Sequence, residues 1–121
     1  MSLKAFLLVF LGGGLGSAFR YLLSLYFQES TYLQTLLPNL IGCFLLGIFT
    51  QVLISEHETL KLMLVFGVLG GLTTFSGYVG FIGQSGFYTP EAIKYFLMNN
   101  LLGIAVFVLG AQGAKWAVRA A

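Results

Sequence analysis

Charged residues are scarce in this sequence, and their scarcity limits the kinds of protein that it can encode. The 121 residues include six Lys or Arg and four Asp or Glu, or 8% of the chain, against roughly 25% in ordinary soluble domains. So few charges cannot cover the surface of a soluble globule. The formal net charge of +2 is also too small for electrostatic binding of nucleic acid. We therefore expect neither a soluble enzyme nor a nucleic-acid partner.

The residues that usually build catalytic or metal centres are equally few. The single cysteine, Cys43, has no partner for an internal disulfide and lies in an apolar run, which is typical of a small buried side chain. The single histidine, His57, lies between Glu56 and Glu58, a pattern typical of a solvated loop. The sequence contains no recognisable phosphate-binding loop or nucleophile–base pair. We therefore expect no enzymatic activity.

Long uncharged runs fill most of the chain. They cover 30–55, 62–90 and 95–114, and a further run over 5–28 is interrupted only by Arg20. About 20 apolar residues span a bilayer as a helix, so the runs predict four spans near 4–27, 33–54, 60–84 and 91–118. Lys4 before an apolar stretch resembles a signal peptide, but the pattern resumes after the glycines at 12–14, which favours a first span. We expect one all-α transmembrane domain over 1–121.

Glycine is the abundant component, with 16 residues. Small residues let helices approach closely in lipid, where the hydrophobic effect does not drive them together. Gly12, Gly16 and Arg20 are spaced four apart and so lie on one face of the first helix. Four short helices make only a thin bundle, and we therefore expect the chain to form an oligomer.

Polar residues inside the predicted spans are the candidates for function, because they are costly in lipid. Arg20 could reach the membrane surface, bond another helix, or attract an anion to a vestibule. Asn39, after Pro38, could bridge helices or present its amide N–H groups to a pore. In the fourth span Tyr95, Asn99 and Gly103 share one face, which could line a narrow path or bond helices together.

The segment 67–78 in the third span combines four glycines with three hydroxyl residues. Glycine costs about 1 kcal/mol relative to alanine in a helix, so a helix interruption is expected here, with a kinked helix as the alternative. Backbone groups released by an interruption need partners in lipid, and such segments bind ions in other membrane proteins.

Four segments together resemble the Fluc (CrcB) family of fluoride channels. The stretch 12–21, GGGLGSAFRY, is similar to the opening motif of the family, and 37–44, LPNLIGCF, to its second-helix asparagine motif. The stretch 67–76 with TTFS resembles the broken third helix, and Tyr95 with Asn99 and Gly103 resembles the fourth. The order of the motifs and the chain length agree with the family over the whole sequence.

The resemblance implies an antiparallel, dual-topology homodimer with two fluoride pores, which exports fluoride passively across the cell inner membrane and lowers cytoplasmic fluoride. It implies a structural Na⁺ at the dimer interface, held by the backbone carbonyls of Gly70 and Thr73. It implies pore roles for Asn39, Phe75, Ser76, the position of Tyr78, and the fourth-helix residues Tyr95 and Asn99. This chain departs from the family at Tyr78, where phenylalanine is usual, and at Asn99, where serine or threonine is frequent.

The chemistry of such a pore can be argued from the residues. Fluoride is small and strongly hydrated, so hydrogen-bond donors must replace its water. Conduction also requires binding weak enough for release, which neutral donors such as the Asn39 amide and the Thr74 and Ser76 hydroxyls provide. Aromatic ring edges are also positive. The residues alone do not choose fluoride over chloride; that choice depends on the resemblance.

Two other functions remain open at this point. A small multidrug resistance-type transporter has a similar length and four helices, but it requires a glutamate inside the first span, and Glu29 lies beyond that span. The chain could also be a non-conducting subunit of a heterodimeric fluoride channel.

Overall fold

The computed structural model describes residues 2–53 and 57–121, and these residues form helices and short connections without strands. The helices are α1 (Leu3–Tyr26), α2 (Thr31–Val52), α3 (Glu58–Lys61), a π-helix (Leu62–Leu69), α4 (Gly70–Leu72), α5 (Phe75–Ser85) and α6 (Pro90–Ala120). Of the charged loop expected around His57, Ser55 and Glu56 lie outside the described residues.

Four helical segments are long and apolar enough to cross a membrane, as the sequence predicts. They are α1, α2, the combined segment Glu58–Ser85, and α6. Hydroxyl side chains begin four of the helices: Ser2, Ser30, Thr74 and Thr89 accept hydrogen bonds from backbone N–H groups three residues later. Pro90 occupies the first position of α6, where its missing N–H costs no helical hydrogen bond.

The four spans pack as two pairs, with α1 against the π-helix and α4, and α2 along α6. Glycine allows the close approach in each pair. A Cβ on Gly16 would overlap the carbonyl oxygen of Val68, and a Cβ on Gly110 would overlap the carbonyl oxygen of Phe44. The expectation that glycines serve helix packing is confirmed at these positions.

Large apolar side chains point outward on every span, for example Phe10 (66% exposed), Leu101 (63%) and Trp116 (75%). Such continuous apolar exposure is typical of a surface that meets lipid or another subunit. The interior is small and includes Leu36 and Tyr95, which are 4% and 0% exposed.

The third span changes its backbone conformation twice. Its first half is a π-helix, in which each turn holds more residues than an α-helix. After Leu72 the backbone becomes extended at Thr73 (φ −74°, ψ 150°) and Thr74 (φ −141°, ψ 105°), and α5 starts at Phe75. The backbone N–H and C=O groups around these two residues therefore need partners outside the helix.

Candidate functional site

The side chain of Asn39 in α2 satisfies the extended backbone of the third span. Its Oδ1 accepts a hydrogen bond from the Thr74 N–H at 2.7 Å, and its Nδ2 donates to the Thr74 carbonyl at 3.3 Å. Because a backbone N–H can only donate, this pattern fixes which end of the Asn39 amide is oxygen. Asn39 therefore bridges helices, one of the two roles that the sequence left open.

The remaining N–H of Asn39 determines the orientation of Asn99 in α6. Asn39 Nδ2 donates to Asn99 Oδ1 at 3.1 Å. Since Asn99 must present its oxygen to Asn39, its own Nδ2 is left on the other side of the amide. Asn99, rather than Asn39, therefore has N–H groups available to a ligand.

Thr74 also begins α5 with its side chain. Its Oγ1 accepts a hydrogen bond from the Gly77 N–H at 2.9 Å and lies 3.3 Å from Ser76 Oγ. The Thr74 residue is 8% exposed. This hydroxyl therefore serves as a helix cap, and the exposed Ser76 adjoins it.

An open cavity of about 390 Å³ lies beside the extended segment. Polar groups of three spans reach it: Asn39, Asn99, Thr73 and Thr74 contribute to its wall, with Phe75 and Tyr78. Among the residues that the structure describes, none that lines this cavity is charged. Phe75 is 77% exposed, and its ring centroid lies 5.6 Å from that of Tyr78.

The polar stripe predicted on the fourth span pairs with a second stripe on α2. The Tyr95 hydroxyl donates to Thr35 Oγ1, and Asn99 bonds Asn39. Gly103 comes close to Cys43, since a Cβ there would lie 3.6 Å from Sγ. Thr35 was missed by the sequence analysis, although its position four residues before Asn39 indicates the same face of α2.

Tyr95 lies beneath the cavity rather than in its wall. The residue is fully buried, and its ring centroid is 5.6 Å from that of Tyr78 and 4.5 Å from that of Phe81. Tyr95 therefore supports Tyr78 from behind. Cys43, expected to be a buried apolar residue, is half-buried and lines the cavity.

Arg20 forms a hydrogen bond with the backbone of the third span. Its Nη1 donates to the Thr73 carbonyl at 3.2 Å, which agrees with the interhelical role considered for it. Arg20 also lines a second open cavity of about 310 Å³, together with Gln34, Thr35 and Thr74. Thr74 thus separates a cavity with a cationic wall from the uncharged one.

Two carbonyls near the extended segment have lost their helical partners. The Thr74 N–H, which would bond the Gly70 carbonyl in an α-helix, donates to Asn39 instead. The Gly77 N–H, which would bond the Thr73 carbonyl, donates to Thr74 Oγ1. Both carbonyls belong to residues in the wall of the uncharged cavity.

Known proteins are similar to this chain over most of its length. The family model described as CrcB-like protein, Camphor Resistance (CrcB), matches residues 7–111. A fluoride-specific ion channel FluC of Phocaeicola vulgatus is 40% identical over 117 residues, which cover 89% of this chain and 96% of the relative. One of Aquifex aeolicus is 40% identical over 111 residues, covering 84% and 90%.

A third relative, the fluoride-specific ion channel FluC 2 of Nocardia farcinica, is 37% identical over 125 residues, covering 95% of this chain and 88% of the relative. The matches include the extended segment and the polar residues of α2 and α6 within residues 7–111. The chain therefore belongs to the CrcB-like protein family.

Proposed function

We propose that this chain is the subunit of a fluoride-selective channel that exports fluoride passively and lowers its cytoplasmic concentration. The observation that carries the proposal is the uncharged cavity beside Asn39 and Thr74, whose wall combines amide and hydroxyl groups with aromatic rings. The relatives are named fluoride-specific ion channels, which supports the same function. A channel, unlike an enzyme, needs no reacting group in this wall.

The donors of the cavity suit a small anion that must bind and then leave. In its wall, Asn99 supplies amide N–H groups and Phe75 a positive ring edge. The exposed Ser76 hydroxyl lies beside the wall, 3.3 Å from Thr74 Oγ1. Asn39 and Thr74 hold these groups in place through the bonds described above. Since none of these groups is a cation, the ion is held weakly enough to move on.

The second cavity forms the entrance of the proposed pore. Arg20 gives its wall a positive charge, which raises the local concentration of anions. Thr74 borders both cavities, so an ion attracted by Arg20 reaches the neutral donors by passing this residue. Arg20 combines this role with its bond to the Thr73 carbonyl.

We further propose that two copies assemble as an antiparallel homodimer in the cell inner membrane. Phe75 is exposed and its cavity is open, so one chain encloses only part of a pore. With four spans, Lys4, Lys61, Lys115 and Arg119 lie on the side of the termini, whereas Lys94 and Arg20 lie nearer the other. This small difference in basic residues permits insertion in both orientations.

A structural Na⁺ at the two-fold axis of this dimer fits the carbonyl oxygens available as ligands. Oxygen ligands suit a hard cation. The carbonyls of Gly70 and Thr73 are released from helical hydrogen bonding, so each copy would supply two oxygen ligands. The Thr73 carbonyl has a second lone pair, so its bond with Arg20 leaves room for an ion. The ion would join the two copies and offset the repulsion between facing carbonyl dipoles.

The test is fluoride efflux from liposomes that contain the purified chain alone, recorded with a fluoride electrode after a counter-ion path is opened. We expect fluoride efflux and strong rejection of chloride. Equal chloride efflux would contradict the proposed selectivity. Absence of efflux from a purified dimer would instead favour a non-conducting subunit that requires a second, related chain.

A proton-coupled transporter of the small multidrug resistance type is disfavoured. Such a protein needs an ionisable carboxyl group inside a span. In the described part of the chain, Glu58 starts α3 and Glu91 lies in the first turn of α6, both at the ends of their spans.

A further inference from the structure

Tyr78 and Asn100 form a polar pair on the side of α5 and α6 away from Asn39. Asn100 Nδ2 donates to the Tyr78 hydroxyl at 3.0 Å and to the Phe96 carbonyl at 2.7 Å. A backbone carbonyl can only accept, so the atom beside it must be the amide nitrogen. The direction of the bond to Tyr78 is therefore fixed by the Phe96 carbonyl.

This direction determines what the Tyr78 hydroxyl can do. Its oxygen already accepts from Asn100, and its own proton has no acceptor among the hydrogen bonds of the described residues. Tyr78 is only 7% exposed. A buried O–H group that must donate, and that finds no acceptor in the part of the chain that the structure describes, is suited to an anion.

The surroundings of the pair fit such a ligand. Tyr78 and Asn100 are the polar residues in the wall of an open cavity of about 480 Å³, which is otherwise lined by apolar side chains such as Phe75 and Phe96. Tyr78 also borders the uncharged cavity beside Asn39. Tyr78 therefore connects the two cavities, with Phe75 in both walls.

We propose that the Tyr78 hydroxyl is a hydrogen-bond donor to the permeating fluoride ion and that Asn100 is the positioning residue that keeps it a donor. The inference rests on the proposed fluoride channel function and concerns the hydroxyl that distinguishes Tyr78 from the usual phenylalanine. Asn100 contributes through Tyr78 and does not itself contact the ion, since one of its N–H groups is held by Phe96 and the other by Tyr78. The ion is bound by an O–H group together with the ring edge of Phe75.

The experiment compares the fluoride concentration that gives half-maximal efflux in proteoliposomes of four proteins: the unchanged chain, Tyr78→Phe, Asn100→Leu and the double variant. A hydrogen bond to a charged group contributes enough to change binding by about tenfold or more. We expect Tyr78→Phe to raise the half-saturating concentration about tenfold. Tyr88→Phe is the matched control, since Tyr88 is 95% exposed, and it should leave this concentration unchanged.

The double variant separates positioning from a structural role. If Asn100 acts through Tyr78, Asn100→Leu raises the half-saturating concentration in the unchanged chain but adds nothing in the Tyr78→Phe background. A merely structural Asn100 would change stability and maximal rate equally in both backgrounds, which would overturn its assignment. The double variant removes both polar groups, so neither is left buried without its partner. It therefore still gives a half-saturating fluoride concentration if a single variant fails to assemble.

The outcomes also separate this inference from the proposed function. An unchanged chain that transports no fluoride refutes the channel function. Efflux by the unchanged chain with the same half-saturating concentration in Tyr78→Phe refutes only the role of the hydroxyl.

Discussion

Asn39 and Thr74 are joined by two hydrogen bonds of opposite direction, one to the backbone N–H and one to the backbone carbonyl of Thr74. The Asn39 amide thus replaces, for one residue, the partners that a continuous helix would provide. In lipid an unsatisfied backbone group costs several kcal/mol. The extended conformation at this depth therefore depends on a side chain from another span.

Asn39→Ala removes both bonds and also frees Asn99. We expect fluoride efflux to fall at least tenfold, and the unfolding midpoint of the protein in detergent to fall, since each unpaired buried group costs about 1–3 kcal/mol. Gln112→Ala is the control, because Gln112 is an exposed amide of α6. Efflux retained by Asn39→Ala would show that the Thr74 backbone finds other partners.

Phe75→Ile tests the aromatic edge. Isoleucine keeps apolar bulk but has no quadrupole, and Phe75 is 77% exposed, so little packing within the chain is lost. We expect efflux to be abolished while the variant elutes from size-exclusion chromatography at the same volume as the unchanged chain, as the proposed dimer. Phe66→Ile, at a position 60% exposed on the same span, should retain transport. Undiminished efflux in Phe75→Ile would show that transport does not need the aromatic edge and that this side chain serves only for packing.

Gly16→Ala should destabilise the contact between α1 and the third span. Its Cβ would overlap the Val68 carbonyl oxygen and lie 2.8 Å from the Leu72 nitrogen. We expect a loss of about 1–3 kcal/mol, as for overpacking elsewhere, measured by thermal unfolding in detergent. Gly14→Ala is the matched control, because a Cβ there meets nothing within 4 Å, and it should be neutral or stabilising by about 0.5–1 kcal/mol. Equal effects of the two changes would contradict this packing.

The orientation of the chain can be measured by labelling a terminal cysteine in intact cells, in a Cys43→Ser background. We expect both sides of the membrane to be labelled, because the basic residues differ little between the two sides. Labelling from one side alone would favour a parallel dimer or a dedicated partner.

The proposed sodium site is testable by a high-resolution structure of the dimer. We expect density on the two-fold axis between the Gly70 and Thr73 carbonyls, at oxygen distances of roughly 2.3–2.5 Å, near the range of hard cations. The ion should be present with or without fluoride. An axis lined by apolar side chains would refute the site.

The sequence was sufficient to locate the spans, because uncharged runs of membrane length are a local property. Spacing also placed Gly12, Gly16 and Arg20 on one face of α1, and all three contact the third span. The sequence could not decide which spans pair. The partners of Asn39 lie 35 and 60 residues away along the chain.

Residue type also left the direction of hydrogen bonds undetermined. Asn39 could be recognised as a polar residue in a span, but the structure places both of its N–H groups on other parts of the chain. Likewise, the resemblance implied a pore role for the position of Tyr78 and a departure from phenylalanine there, but the bond from Asn100 depends on how α5 and α6 meet. Such details follow from three-dimensional packing, which a single sequence does not specify.

The π-helix sets the angle at which the third span arrives at Asn39. Successive residues of an α-helix are rotated by about 100° around its axis, and residues of a π-helix are rotated by less, because each turn holds more of them. Restoring α-helical turns over all eight residues of Leu62–Leu69 would therefore turn everything after this segment around the helix axis. The Thr74 backbone would then face away from α2, although every side chain of the site would still be present in the sequence. The wide turns of Leu62–Leu69 therefore set the direction in which the Thr74 backbone faces. The conformation of an apolar segment thus controls the alignment of the polar groups that follow it.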